Sequence, residues 1–408
     1  MSSETLDEPL VHSRGYPYKA LAGSAMGYAM DGFDLLILGF MLNAIASGLG
    51  LTSTQAGSLV SWTLIGAVAG GVIFGALSDR YGRVKVLTWS IVLFAVFTGL
   101  CAFAQGYWDL LIYRTIAGVG LGGEFGIGMA LAAEAWPANQ RARASSYVAL
   151  GWQVGVLLGA VLTPMLLPSI GWRGMFMVGI IPAFLAWFMR RQLHEPELFA
   201  QKQTQQSSMQ RFALLVKDRE TRRISLGIVI LTSVQNFGYY GMMIWMPSFL
   251  SKQLGFNLTK SSLWMSVTIL GMMSGIWVFG QLADRIGRKP SFILFQTGAV
   301  IMVIVYALIS QPTVMLVAGA FLGMFVNGML GGYGALMSEA YPTQARATAQ
   351  NVLFNIGRAV GSFGPLVIGA LASLYSFRIA LALLAVIYII DILATLILIP
   401  EFKGKALS

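Results

Sequence analysis

The sequence is short of charge. Only 11% of its 408 residues are Asp, Glu, Lys or Arg, against about 25% in an ordinary soluble domain. So few charges cannot cover the surface of a soluble globule, and a chain that is 56% hydrophobic is not disordered. Cysteine is almost absent: Cys101 stands alone in an apolar run, which excludes an internal disulfide framework. Histidine is nearly as scarce. His12 and His194 lie in polar segments, so neither is placed to relay a proton through a membrane. Metal-ligand clusters, nucleophile–base sets and phosphate-binding loops are missing, so no cofactor or metal is expected and an enzyme is disfavoured. No cleavable leader is expected, since the first nineteen residues are polar and include Glu4, Asp7 and Glu8.

Apolar sequence is what the chain has in excess. Hydrophobic runs fall at 20–48, 55–77, 85–105, 108–135, 143–169, 173–190, 223–250, 260–282, 290–310, 313–338, 345–374 and 378–400. Each can cross about 30 Å of hydrocarbon as a helix, and helices satisfy their own backbone groups where lipid cannot. The expectation is an all-α integral membrane protein with twelve transmembrane helices. The net charge of +10 then reads as loop charge rather than nucleic-acid binding. Twenty-one Lys and Arg fall in the loops and tails on the side of the termini; only Arg173, Lys252, Lys260 and Arg378 fall on the other. That bias places both termini in the cytoplasm. The expected division is a cytoplasmic tail (1–19), a six-helix bundle (20–190), a polar cytoplasmic linker (191–222), a second bundle (223–400) and a tail (401–408).

The bundles are duplicates. Gly75, Leu77, Asp79, Arg80, Gly82 and Arg83 recur as Gly280, Leu282, Asp284, Arg285, Gly287 and Arg288, all 205 positions later. Glu134, Pro137 and Arg141 recur as Glu339, Pro342 and Arg346 at the same offset, as do Arg173 and Arg378. Duplication of a six-helix unit is the economical reading. Glycines spaced by four, as in Gly151, Gly155 and Gly159, point to close helix packing.

The G-x-L-S/A-D-R-x-G-R loop between spans two and three, repeated between eight and nine, resembles the signature of the major facilitator superfamily. Arg114 with Gly118, Gly120, Gly122 and Gly123, and the E-x-x-P-x-x-x-R pattern after spans four and ten, resemble further motifs of that family. The resemblance covers the whole chain. It implies alternating access by rocking of two bundles about a central site. Asp79, Arg80, Arg83, Glu134 and Arg141, with Asp284, Arg285, Arg288, Glu339 and Arg346, are then expected to form a cytoplasmic gate. The bland alternative is that they cap and orient helix ends.

Ionisable residues inside spans are costly and default to function. Asp31, Asp34, Arg114, Glu124, Arg358 and Asp391 are the six. Asp31 and Asp34 share a helix face. With Glu124 they are candidates for proton coupling, with Arg114 as the nearby cation; a static Asp–Arg pair between spans one and four is the alternative. Asn351, Asn355 and Arg358 form a stripe on span eleven. Arg358 has no acid near it in sequence, which suits a carboxylate ligand, although a pair with Asp391 would also satisfy it. Gln235, Asn236, Tyr239 and Tyr240 on span seven, with Gln153 and Tyr333, complete the expected substrate site; Trp152 and Asn327 are weaker cavity candidates. Asp391 receives no role.

The Asp31-Gly-Phe-Asp34 run, with Arg114 and Gly122-Gly-Glu124, is similar to the aromatic acid:proton symporters and the related sialic-acid and monocarboxylate symporters of bacteria. The resemblance implies that Asp31, Asp34, Arg114 and Arg358 serve proton-driven uptake of an organic anion. The Gly-Pro signature of antiporters is missing from span five, where Val156 follows Gly155. A monomer in the bilayer is expected, with a small organic anion and protons as partners and no nucleic acid. A facilitator or exporter of neutral or cationic compounds is the alternative, and a non-transporting membrane sensor is the alternative of another class.

Overall fold

A computed structural model describes residues 15–191, 208–255 and 258–404. His12, His194 and most of the expected first tail and linker lie outside them. The described chain is helical throughout, and its helices pair into twelve spans. Among the described residues nine stretches are long and apolar enough to cross a membrane by length and composition. The fifth and sixth spans share one of these. The seventh and eleventh, which carry most of the polar residues of the site, fall outside that count.

Spans one to three are Tyr16–Leu49, Ser53–Tyr81 and Arg83–Cys101. The first begins four residues earlier than its apolar run. At 34 residues it is about 51 Å long by the 1.5 Å rise, so it tilts or extends beyond the hydrocarbon. Span four is broken at Gly123 into Tyr107–Gly122 and Glu124–Ala135. Spans five and six form a hairpin within Arg141–Arg190, turned at Gly171, whose φ of 65° is left-handed and favours glycine. The C-terminal half repeats the plan. Span seven is Arg219–Leu254, eight is Leu258–Ile286 and nine is Arg288–Leu308. Span ten is broken into Pro312–Gly328 and Leu330–Ala340, and eleven into Arg346–Gly361 and Gly364–Leu374. Phe377–Leu398 is the twelfth.

The duplication reaches individual contacts. Gly82 and Gly287 make the tight turns after spans two and eight with φ of 111° and 112°. Gly66 and Gly70 lie against the backbone of Thr115 and Val119 in span four; Gly271 and Gly275 lie likewise against Ala320 and Met324 in span ten. Gly151 and Gly155 bring span five onto Ala25 and Ala29 of span one, the close packing their spacing predicts.

A few helix starts are capped by short polar side chains. Thr52 and Gln55 form a reciprocal capping box at span two. Asp218 accepts from the Thr221 amide at 2.8 Å at the start of span seven, and that bond holds its carboxyl below the usual aspartate range. The outer surface is apolar, with Trp108, Met165, Phe184 and Leu308 exposed, as lipid-facing positions require.

Candidate functional site

The halves are joined at the end that carries the two signature loops. Arg83 donates through Nη1 to Asp79 at 2.5 Å and through Nη2 to Glu134 at 3.1 Å, and reaches across to the Thr343 carbonyl at 3.0 Å. Arg288 repeats this. It donates to Asp284 at 3.1 Å and to Glu339 at 2.7 and 3.0 Å, and crosses to the Ala138 carbonyl at 3.4 Å. The two aspartates cap helices of the opposite half. Asp79 accepts from the Thr348 amide at 2.8 Å and from its hydroxyl, at the start of span eleven. Asp284 accepts from the amides of Ala142 and Arg143 at 3.2 and 3.1 Å, at the start of span five. A carboxylate at a helix N-terminus gains from both the amide donors and the helix dipole.

Arg346 adds a direct cross-link, donating to Glu134 of the other half at 2.9 Å. Its counterpart Arg141 donates to the Ala133 carbonyl at 3.3 Å within its own half. Arg80 and Arg285 do not join this latch. Both side chains are exposed, and the Arg80 guanidinium lies over the Tyr81 ring. Eight of the ten expected gate residues therefore come together, and two do not.

Further into the membrane a small, narrow cavity lies between the halves. Tyr28 and Trp152 line it from the N-terminal half. Gln235, Asn236, Tyr239, Tyr240, Asn327, Leu330, Phe354 and Arg358 line it from the C-terminal half. The Trp152 indole N–H donates to the Tyr239 hydroxyl at 3.1 Å, and Gln235 donates to Asn327 at 2.6 Å. Gln235 Oε1, Asn327 Nδ2 and Arg358 Nε have no hydrogen-bond partner among the described residues. Buried polar atoms are seldom left so.

The two first-span aspartates face different halves. Asp34 takes a bidentate pair from Arg114, at 3.0 and 2.6 Å, so spans one and four of the same half are tied together. Arg114 also donates to Thr63 at 3.3 Å. Asp31, one turn earlier, interacts electrostatically with Arg358 of the opposite half and with Tyr28 and Tyr240. The acid that Arg358 lacks in sequence is thus supplied in space by span one, though not as an ion pair. The guanidinium of Arg358 lies 5.6 and 5.5 Å from the centres of the Trp152 and Phe354 rings. Arg83, Arg114, Arg288 and Arg346 are each salt-bridged. Among the described residues no such bridge forms at Arg358.

Other expected site residues sit elsewhere. Glu124 accepts from Ser90 of span three at 2.8 Å, while Arg114 is engaged with Asp34. Asn351 and Asn355 bond back to the carbonyls of Ala347 and Asn351 and press on Gly75 and Gly71 of span two, in the seam between the halves rather than the cavity wall. Tyr333 donates to the Leu231 carbonyl at 3.0 Å behind the cavity, and Gln153 lies beside Tyr239. Tyr28, Leu330 and Phe354 were not anticipated. Tyr28 is one turn before Asp31 and Phe354 one turn before Arg358, so helical spacing from the charged residues was the available signal.

A family profile described as the Major Facilitator Superfamily matches residues 24–362 and 262–407. The chain belongs to the major facilitator superfamily. A Haemophilus influenzae protein described as "Putative metabolite transport protein" is 74% identical to it, over 96% of this chain and 98% of its own length. The cis,cis-muconate transport protein of Acinetobacter baylyi is 30% identical, over 88% and 89% of the two chains. The sialic acid transporter NanX of Escherichia coli is also 30% identical, over 91% of both. In fold the facilitator is similar to the proton:xylose symporter XylE, with a TM-score of 0.82 over 97% of this chain and 98% of the other at 19% identity. It is a membrane transporter and not an enzyme.

Proposed function

We propose that this facilitator imports a small organic acid together with protons. The observation that carries the reading is Arg358: a buried guanidinium on the wall of the central cavity, close to Asp31 yet bridged to no carboxylate. A planar fork of donors is matched to a carboxylate. The surrounding Tyr28, Trp152, Tyr239, Tyr240 and Phe354 suit the apolar body of such an acid, and Gln235 and Asn327 its polar groups. Muconate and sialic acid, named for two of the relatives, are carboxylic acids.

Coupling follows from two carboxylates sharing one cation. A substrate carboxylate on Arg358 brings a second negative charge beside Asp31. Like charges oppose one another, so anion binding and protonation of Asp31 favour each other. Substrate and proton therefore load together and leave together. Asp34 and Arg114 hold span one in place while this happens, and their pair is the second group able to exchange a proton for a salt bridge. The latch of Asp79, Arg83, Glu134, Arg141, Asp284, Arg288, Glu339 and Arg346 closes the cytoplasmic side. The bundles of residues 20–190 and 223–400 rock against each other, joined by the 191–222 linker, with both termini in the cytoplasm of a bacterial inner membrane.

The test is a panel of aromatic, sugar-acid and short aliphatic carboxylates, scored by protection of the purified protein against thermal unfolding. A charge-assisted bidentate contact contributes about 3 kcal/mol, so Arg358→Ala weakens the best ligand about 100-fold. Equal affinity in parent and variant removes Arg358 from the site.

A further inference from the structure

Asp391 is an intramembrane acid that neither the latch nor the cavity uses, and unlike Asp34 and Glu124 it accepts no side-chain hydrogen bond from the described residues. It lies on span twelve, fully buried, and neither carboxylate oxygen has a hydrogen-bond partner. Its neighbours are all neutral. Gln296 of span nine and the hydroxyls of Tyr388 and Tyr333 act on it, and among the described residues no Lys, Arg, Asp or Glu does. The stretch Gly364–Leu374, which also packs against span twelve, offers no titratable side chain.

The hydrogen bonds around Asp391 set how Gln296 is presented to it. Thr395 gives its hydroxyl hydrogen to the backbone carbonyl of Asp391 at 2.9 Å, so it can only accept from Gln296 Nε2, which it does at 2.7 Å. That orients the Gln296 amide and leaves its Oε1 without a partner. The Tyr388 hydroxyl is also without one. An ionised carboxylate here would be a buried charge with no counter-ion, beside a second bare acceptor. A single proton removes that charge and turns the carboxyl group into a donor for a neighbouring acceptor.

The cluster backs onto the substrate site. The Tyr388 hydroxyl rests against Gly238 of span seven, between Asn236 and Tyr239 of the cavity wall, at a position where any Cβ would strike it. Tyr333 bonds to Leu231 on the same span and its ring meets Phe354. Ionisation of Asp391 would draw the Tyr388 hydroxyl and solvent toward the charge, away from span seven.

We propose that Asp391 is a second proton-binding site, in the C-terminal half, whose occupancy holds span twelve against the substrate-bearing part of span seven. This goes beyond coupling at Asp31 and stands whether or not that coupling is correct. The test uses the full-length protein without substrate. Infrared difference spectra between acid and alkaline pH are recorded for the parent, Asp31→Asn, Asp391→Asn and Asp391→Glu. The expected result is a protonated-carboxyl band that survives in Asp31→Asn, shifts in frequency in Asp391→Glu and is lost in Asp391→Asn. In parallel, the thermal midpoint of the parent falls as pH rises through that titration, and that of Asp391→Asn does not. A band unchanged in both Asp391 variants overturns the proposal. So does an alkaline fall in midpoint that Asp391→Asn retains.

Discussion

Asp31→Asn isolates the coupling step, because it removes a charge from the cavity while keeping the shape of the side chain. Asp31 and Arg358 come from opposite halves and interact across the site. A substrate carboxylate on Arg358 would be a second negative charge beside Asp31, and a separation of about 6 Å serves to size the repulsion. With an effective dielectric of about 20, two like charges at that separation repel by about 2.8 kcal/mol, or about 100-fold in affinity. At acid pH the parent carries a neutral Asp31, and parent and variant bind the carboxylate equally. As pH rises the parent ionises and its affinity falls by up to about 100-fold, whereas Asp31→Asn keeps its acid-side affinity. In proteoliposomes the variant still exchanges labelled for unlabelled substrate, since exchange requires no net proton movement, but it does not concentrate substrate when a pH gradient is imposed. A variant with the parental pH dependence of binding, or one that still accumulates substrate, refutes the assignment of Asp31.

Other variants probe the framework. Asp34→Asn leaves Arg114 as an uncompensated buried charge, a loss of about 3–5 kcal/mol. Its thermal midpoint drops, and Cys101, the single thiol, which lies beside Arg114, reacts faster with maleimide; unchanged labelling contradicts the pairing. Asp79→Ala removes the cap on span eleven, typically about 1 kcal/mol, together with a latch ion pair. Spin labels at Arg80→Cys and Arg285→Cys, in a Cys101→Ala background, then report a longer distance across that face. An unchanged distance argues that the latch only trims helix ends. Gly70→Ala and Gly71→Ala, though adjacent, are expected to differ. A Cβ on Gly70 meets the backbone of Val119 in its own half and lowers stability. A Cβ on Gly71 meets Asn355 of the other half and slows transport with little loss of stability.

Much of this was legible in the sequence because duplication prints the same residue twice. The 205-residue offset that pairs Asp79 with Asp284 also pairs Thr343 with Ala138 and Thr348 with Arg143, which are the residues those loops reach across the seam. The motifs identified the latch, but not that each aspartate caps a helix of the other half, because helix register between halves is a tertiary fact. The same limit separated Asp31 from Asp34. Their spacing puts them on one face, yet one turns to Arg114 and the other toward Arg358, and only packing decides that. Helical spacing alone puts Asn351, Asn355 and Arg358 on one face of span eleven and points all three at the cavity. Span eleven crosses span two at Gly71 and Gly75, so the lower part of the stripe is buried in that crossing and only Arg358 reaches the cavity. Tyr28 and Phe354 do not stand out in the sequence, because aromatic residues in membrane helices are usually packing.

The most direct measurement of the central claim is uptake of a labelled carboxylate, chosen from the binding panel, into proteoliposomes with an acid exterior. Accumulation above the external concentration, abolished by a protonophore and by Arg358→Ala, is the predicted result. Equilibration to the external concentration and no further, with the pH gradient intact, would contradict it.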